Sequence, residues 1–286
     1  MIGVYDSGFG GLTVLRELVR VLPERSFLYL GDNGRAPYGG RDVHTVIDFA
    51  EQSVEHLFDA GCRLVVVACN TVSCVALRHL QQRYAPPDGS RRVLGVTIPG
   101  AELATQQSRG HIGILATRRT VESRTYCAEI AKLSDHRVTQ RSAPLLAHVV
   151  EEGFESHDIA RLALQEYLAD LTHIDTLLLG CTHYPLLRPL IEAVLPDDVS
   201  IVDPGPYVAT ALRSWLDRHP SFDTPDETGS LRMLTSGSAS DFTRLGVRFF
   251  GGPLPEPEPL TEQDGRLVVR GEAPPLRGQV VRPSRR

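Results

Sequence analysis

The sequence predicts an α/β fold: two pseudo-symmetric α/β lobes with largely parallel sheets and a site in the cleft between them. Three observations carry this reading. Short apolar runs alternate with amphipathic helical runs along most of the chain. Landmarks of the first half recur in the second at offsets of 105 to 112 residues: Ile2-Gly3 with Ile112-Gly113, Cys69 with Cys181, Pro99-Gly100 with Pro204-Gly205. Both cysteines also close a strand-like run, and each is followed by hydrogen-bonding residues (Asn70-Thr71 and Thr182-His183). A thiol on each wall of a cleft suits chemistry on both faces of one substrate carbon.

The elements follow in order. Residues 2–5 read as a strand, and Leu12, Leu15, Leu18, Val19 and Leu22 recur at helical spacing. A second strand covers 27–30, a helix 43–60, a third strand 65–68 and a helix 72–84. Val93 to Ile98 reads as a fourth strand. The second half restarts at His111 with a strand over 112–115, a helix over 120–133 and a weak strand over 138–140. Helices near 145–152 and 156–171, strands at 176–179 and 200–202, and a helix over 207–218 complete it. Leu231 to Thr235 reads as a strand returning to the first half, with a helix over 242–250 after it.

The expected domains are 1–95 with 206–250 as the first lobe, 96–205 as the second, and 251–286 as a Pro-rich tail, extended or disordered. Pro253, Pro255, Pro257 and Pro259 suggest a polyproline-like linker, and Gln263-Asp264-Gly265-Arg266 suggests a small hairpin. On this reading the tail is dispensable for chemistry, and Arg282 to Arg286 is a mobile end.

Composition excludes several classes. The chain has 286 residues, 42% of them hydrophobic, which fills two ordinary cores or one large one. A net charge of −5 with no long basic run gives no expectation of nucleic-acid binding. No apolar stretch reaches the roughly 18–20 residues that span a bilayer. A strand beginning at Ile2 leaves no room for a signal peptide, and five cysteines at irregular spacing do not suggest a secreted disulfide framework. The expected location is therefore cytoplasmic. Among 30 basic residues, Lys132 is the only lysine, in a solvated helical context. A pyridoxal-phosphate Schiff base and a P-loop are thereby disfavoured. Assembly state is left open, a homodimer included.

The loop Asp6-Ser7-Gly8-Phe9-Gly10-Gly11 follows a strand and opens a helix, as a dinucleotide fingerprint does. Thr13 stands where that fingerprint needs its third glycine, and Asp6 would repel a pyrophosphate. Alone, Cys69 reads as a buried small hydrophobe as readily as a nucleophile. A zinc set of Cys62, Cys69, Cys74 and His79 is weaker, because a strand separates Cys62 from Cys69. Cys181 followed by Thr182-His183 is unusual for a plain core, since His183 can assist its thiol or shuttle its proton. Asp32 to Gly40 reads as a loop covering the cleft. Glu151 and Glu152 end a helix, where solvated carboxylates are the default.

These blocks together resemble the glutamate racemases, cofactor-independent enzymes that supply D-glutamate for bacterial peptidoglycan. The resemblance covers residues 2–250. It rests on Asp6-Ser7-Gly-x-Gly-Gly-Leu12, Gly31-Asp32 followed by Arg35-Ala-Pro-Tyr-Gly39, Ala68-Cys69-Asn70-Thr71, Ala116-Thr117-x-x-Thr120-Val121 and Leu179-Gly-Cys-Thr-His-Tyr-Pro-Leu186. Aspartate and hydantoin racemases look similar in architecture but lack the first and last blocks together. The resemblance implies that Cys69 and Cys181 are paired acid/base thiols, with Asp6 assisting the first and His183 the second. It implies that Asp6, Ser7, Tyr38, Gly39, Asn70, Thr71, Thr117, Thr120, Thr182 and His183 hold glutamate, and that Glu151 supports His183. No metal or cofactor is implied. Asn33-Gly34, Ala143, His148 and Asp203-Pro204 depart from the family's usual residues.

The chemistry agrees with that implication. Racemisation removes an α-proton from one face and returns one to the other, and a thiol with a pKa of about 8.5 can serve as base or acid near neutrality. The rivals are a two-lobed binding protein without turnover and an NAD-linked oxidoreductase, the latter disfavoured by Thr13.

Overall fold

The first strand, β1 (Ile2–Asp6), has all five residues buried, the pattern of a strand covered on both faces in the middle of a parallel sheet. In the computed structural model, which describes residues 1–84, 86, 89–223 and 229–271, it is an interior strand of the larger of two sheets, between β2 (Phe27–Gly31) and β3 (Leu64–Val67). The chain continues through α1 (Leu12–Val21), β2 (Phe27–Gly31), α2 (Val43–Asp59), β3 (Leu64–Val67), α3 (Asn70–Val75), α4 (Leu77–Tyr84) and β4 (Arg92–Gly95). It then runs through α5 (Thr97–Gln107), β5 (His111–Ala116), α6 (Arg118–Ser123), α7 (Thr125–Ile130), β6 (Arg137–Ser142), α8 (Leu145–Glu151) and α9 (Asp158–Leu168). The remaining elements are β7 (Thr176–Gly180), α10 (Arg188–Val194), β8 (Ser200–Val202), α11 (Pro204–Arg218), β9 (Leu231–Thr235), α12 (Ala239–Phe250), β10 (Glu258–Gln263) and β11 (Arg266–Val269).

The larger sheet runs β11-β10-β9-β2-β1-β3-β4 and the smaller β6-β5-β7-β8. All neighbours are parallel except β10 and β11. The arrangement β2-β1-β3-β4 therefore recurs as β6-β5-β7-β8, the structural form of the sequence offsets. In each repeat the order reverses at the founding strand, β1 or β5. A crevice opens at the carboxyl ends of strands at such a point, where ligands bind in open α/β sheets. Each sheet packs one face into a core of its own, around Val54, Leu57 and Val65 for the larger and Ile112, Ile114 and Leu178 for the smaller, and the two share a third. One apolar cluster runs from Leu12, Leu15 and Leu18 of α1 through Phe249 of α12 to Leu146, Leu177 and Leu179 of the second repeat. Among the described residues no helix is long and apolar enough to cross a membrane.

Several boundaries differ from the sequence reading. The strand expected to reach Ile98 stops at Gly95, and α5 begins at Thr97. Nothing in the sequence announces this helix, because its buried face is made of Thr97, Gly100, Ala101 and Ala104, small residues that carry no apolar periodicity. The helix expected over 72–84 is interrupted at Ala76. The one expected over 120–133 is broken at Arg124, whose φ of 55° is left-handed.

The tail is the largest correction. Residues 258–269 form the small hairpin suggested by Gln263 to Arg266, but docked on the sheet where an extended or disordered tail was expected. Pro259 is tolerated because β10 meets β9 over only Glu258 and Pro259, and the Pro259 carbonyl still accepts from Arg270 N at 2.8 Å. Asp264 and Gly265 turn the pair with φ of 52° and 74°, as a two-residue hairpin requires. The rest of the expected tail, 272–286, lies outside the described residues. Leu260, Leu267 and Val268 are buried, Arg266 pairs with Glu55 at 2.8 Å, and His56 Nδ1 meets the Leu267 carbonyl at 2.9 Å.

Ending the chain at Gly251 should therefore destabilise it. Each lost buried apolar side chain is worth about 1.5–3 kcal/mol. At about 2–4 °C per kcal/mol, the melting temperature should fall by roughly 10 °C or more. A thermal melt within about 2 °C of the full chain would show the hairpin to be an appendage after all.

Candidate active site

Four strand ends supply the site. Asp6 closes β1, Cys69 follows β3 by two residues, Thr117 follows β5 and Cys181 follows β7. All four thus stand at the carboxyl ends of the strands flanking the two reversal points. Apolar strands bury the backbone up to the last residue, and the first polar side chain after each is delivered to the crevice.

The loop from Asp6 to Gly11 joins the two thiol environments. Ser7 Oγ lies 3.3 Å from Cys69 Sγ. Three residues on, Gly10 packs against Thr182 and His183 so closely that a Cβ there would overlap Thr182 Oγ1 and lie 2.5 Å from His183 Nδ1. Gly11 has the same constraint toward Asp6, whose Cγ would be 2.7 Å from an added Cβ. Thr13 Oγ1 donates to the carbonyls of both Gly10 (2.8 Å) and Thr182 (3.2 Å), tying the loop to the second repeat. Gly10 and Gly11 are thus explained by close approach and not by a dinucleotide.

The two thiols have different surroundings. Cys69, 5% exposed, has its thiol pushed up to about 12 by burial and then by the neighbouring Asp6 carboxylate, with Ser7 opposing. Asp6 is fully buried, and its carboxyl is raised by that burial against the His183 charge and the loop amides. Its Oδ2 accepts from Gly8 N at 2.8 Å, while Oδ1 has no hydrogen-bond partner among the described residues. Cys181 Sγ instead lies 3.8 Å from His183 Nδ1, and His183 Nε2 lies 2.8 Å from Glu151 Oε1. Burial pulls His183 down, but the hydrogen bonds to Cys181 and Glu151 outweigh it and lift the imidazole to about 10. Burial alone would raise Glu151; its bond to His183 holds it below the usual carboxylate range. Glu151 is therefore brought into the site, whereas Glu152 caps α8 and, among the described residues, makes no hydrogen bond to His183.

Three threonines meet across the cleft. Thr71 Oγ1 lies 2.9 Å from Thr117 Oγ1, which lies 3.0 Å from Thr120 Oγ1. Thr117 also caps α6 by accepting from Thr120 N. Asn70 Oδ1 accepts from the Tyr126 hydroxyl, which turns its amide nitrogen the other way. Thr182 is buried against Gly10. Gly39 presses on Thr117, where an added Cβ would come within 2.9 Å of Thr117 Cβ.

The Tyr38 hydroxyl is committed within the protein. Buried, it donates to Asp32 and accepts from Tyr5 OH at 3.1 Å, which leaves no donor for a ligand. Asp32 is engaged by Arg35 Nε at 2.8 and 2.9 Å, and Arg35 lies 4.2 Å over the Phe49 ring. Tyr38 thus braces the loop whose next residue, Gly39, touches Thr117. The zinc alternative finds no support: among the described residues no cluster of three or more His, Cys, Asp or Glu could hold a metal.

Sequence reasoning missed the contacts that Thr13, Tyr126 and Phe249 make with the residues above, because they carry no motif. Phe249 stands edge-on to the His183 ring, with centroids 5.1 Å apart.

The sequence profile of the Asp/Glu/Hydantoin racemase family matches residues 11–212. The chain belongs to this family. It is a racemase, an enzyme of the isomerase class. A curated glutamate racemase from Desulforudis audaxviator is 40% identical over 271 residues, covering 91% of this chain and 96% of that protein. The crystal structure of glutamate racemase isoform RacE1 from Bacillus anthracis has a TM-score of 0.85 at 36% identity, covering 93% of this chain and 98% of that one. Glutamate racemase from Francisella tularensis, solved in complex with D-glutamate, has a TM-score of 0.83 at 31% identity, covering 91% and 97%.

Two expectations follow for this racemase. Gly10→Ala must push Thr182 and His183 away from the loop, and an ångström-scale displacement of reacting groups costs roughly 100-fold in kcat/KM. Turnover within about twofold of the parent, in a folded variant, would show that the approach is not needed. The second concerns pH. A group whose folded pKa is raised contributes stability that is complete below its unfolded value and lost as pH rises through its folded value. For His183 that window runs from 6.5 to about 10. The melting temperature should fall across it, and fall less in His183→Asn; identical slopes would refute the assignment.

Proposed function

We propose that this racemase interconverts L-glutamate and D-glutamate without a cofactor, using Cys69 and Cys181 as two bases on opposite faces of the α-carbon. The observation that carries the reading is the Asp6–Gly11 loop. It contacts Cys69 through Ser7, and through Gly10 it contacts Thr182 and His183 beside Cys181, which supports one site between the two thiols. In this reading residues 1–95 with 206–250 form one lobe and 96–205 the other. The biological role is supply of D-glutamate to peptidoglycan in the cytoplasm.

In the L to D direction, Cys181, held as a thiolate by the His183–Glu151 pair, takes the α-proton and becomes a neutral thiol. Cys69, a thiol at neutral pH, returns a proton to the opposite face. In the D to L direction, Asp6 takes the Cys69 proton as D-glutamate binds, and Cys69 then removes the α-hydrogen. The unpartnered Asp6 Oδ1 supports this role, because a buried acceptor without a donor costs free energy until one arrives. The hydroxyls of Thr71, Thr117, Thr120 and Thr182 and the Asn70 amide hold the carboxylates, with Ser7 and the Gly39 backbone. These donors also stabilise charge that builds on the α-carboxylate as the proton leaves. With Cys69 at 5% and Cys181 at 7% exposure, entry of substrate requires the two walls to part.

Purified protein freed of metal and pyridoxal phosphate should abolish the optical rotation of L-glutamate in heavy water while incorporating α-deuterium. Glutamate binding without deuterium exchange would support the two-lobed binding protein instead. Replacing either cysteine by serine should stop full racemisation. The half-reaction separates the faces. With 3-chloroglutamate, loss of the α-proton and chloride yields an enamine that hydrolyses to 2-oxoglutarate and ammonium, with no proton returned. Cys69→Ser should still process the L-isomer and Cys181→Ser the D-isomer. Folded variants that each lose both half-reactions would overturn the two-base assignment.

A further inference from the structure

Glu151 reaches His183 only because α8 stops where it does. Gly153, with φ of 83°, ends the helix in a left-handed turn. Phe154 N donates to Val149 O at 2.9 Å and Gly153 N to Val150 O at 3.1 Å, the paired bonds of a Schellman motif. The carbonyls of the last turn still carry the partial negative charge of the helix end. Arg248 of α12 meets them: Nη2 donates to Val150 O at 3.0 Å and Nη1 to Glu151 O at 3.5 Å. Glu155 forms an ion pair with the same guanidinium. The next residue, Phe249, is the ring set edge-on to His183. Two consecutive residues of α12 therefore hold the backbone of Glu151 and the imidazole that Glu151 must meet.

We propose that Arg248 is a positioning residue for the Glu151–His183–Cys181 relay: by fixing the last turn of α8 it sets the Glu151 carboxylate on His183, and through it the proton exchange of Cys181. The inference rests on the two-base reading and adds a residue that touches neither the substrate nor a sulfur. It acts by geometry, because Glu155 balances its charge. The other groups facing the relay are Asp6, which is coupled to the His183 charge, and His148 of α8, which lowers Glu151. Neither contacts Arg248 by a hydrogen bond or ion pair among the described residues, so Arg248 is separable from them by mutation.

A directional effect cannot be read from full turnover. The equilibrium constant between enantiomers is unity, so any variant changes kcat/KM equally in both directions. The test uses Arg248→Met, read by 3-chloroglutamate half-reactions and by NMR titration of the His183 imidazole, assigned by difference from His183→Asn. Elimination from the L-isomer, with Cys181 as base, should fall about tenfold, a fraction of what gross misplacement of a reacting group costs. Elimination from the D-isomer should stay within about twofold. The His183 titration should move down from about 10 toward 6.5. Arg248→Gln, which keeps one donor amide, is read by the same two signals where the Met variant does not fold. Equal slowing of both isomers, or an unmoved His183 titration, would overturn the proposal and leave Arg248 a structural brace. If the parent protein eliminates chloride from neither isomer, the two-base reading fails, while the His183 titration still decides the role of Arg248.

Discussion

Everything in the crevice depends on the missing side chain at Gly10. The two repeats are joined by an apolar cluster, but that cluster fixes only their approximate distance. The polar surfaces above it meet through the loop after β1, and there the separation is set by backbone against side chain. Gly10 lets Thr182 and His183 come within contact of the main chain, and Gly11 does the same for Asp6. A methyl group at either position would part a thiol from its proton partner or one wall from the other. Thr13 then locks the approach by bonding to both carbonyls that it brings together. The loop is consequently shaped by a second wall and not by a phosphate, although both uses begin with the same glycine-rich turn.

Much of this is legible in the sequence, for identifiable reasons. Strands buried on both faces, such as Leu64–Val67 and Thr176–Gly180, read as continuous apolar runs that lead directly to the residues of the crevice. Their repetition at near-constant offset foretells two similar sheets. Structure built without periodicity is what escapes such a reading. The α5 helix buries Gly and Ala, and the last strand pair, whose turn is legible, follows a run of prolines that hides its docking through Leu260, Leu267 and Val268. At the site, the motif residues are visible because they stand beside the cysteines. Their supports are not, because Tyr126, Arg248 and Phe249 come from elements far away in sequence and are ordinary residues in ordinary helices. The place of Tyr38 is legible but its role is not. A tyrosine at a cleft suggests a ligand contact, and its hydroxyl's bond to a buried Asp32 is a tertiary contact that no motif announces.

That bond belongs to a second organising network. Asp32 is buried without exposure, and a buried carboxylate is tolerated only when paired and hydrogen-bonded. Arg35 supplies the charge, Tyr38 a hydroxyl, and Gln52 of α2 holds the far side of the guanidinium. Glu262 of β10 lies 3.7 Å from the same guanidinium, so the strand pair at the end of the chain touches the loop that covers the cleft. From there Gly39 presses on Thr117, and its carbonyl accepts from Arg119 N at 3.0 Å. The segment from Asp32 to Arg41 is therefore a strap between the repeats. It is held on one side by buried charge and on the other by hydrogen bonds at a partly exposed surface, the cheaper set to break when the walls part.

The two walls are chemically unlike, and the proposed reaction explains why that is workable. Enantiomers have equal free energy in water, so no symmetry of the catalyst is required by the equilibrium; what is required is that one proton can rest on either wall at similar cost. The Cys181 wall meets that need with an ion pair, His183 and Glu151, that can take up the charge change. The Cys69 wall meets it with a buried carboxyl raised toward protonation, close to a thiol raised by the same burial. Burial disfavours charge on Asp6 and on Cys69 alike, so the wall favours holding one shared proton over carrying two negative charges. A wall that keeps its proton faces a wall with a cation beside its sulfur. The resting enzyme is thus already polarised across the crevice in the sense needed to take a proton on one side and give one on the other. Turnover reverses that polarisation, and the reverse reaction restores it.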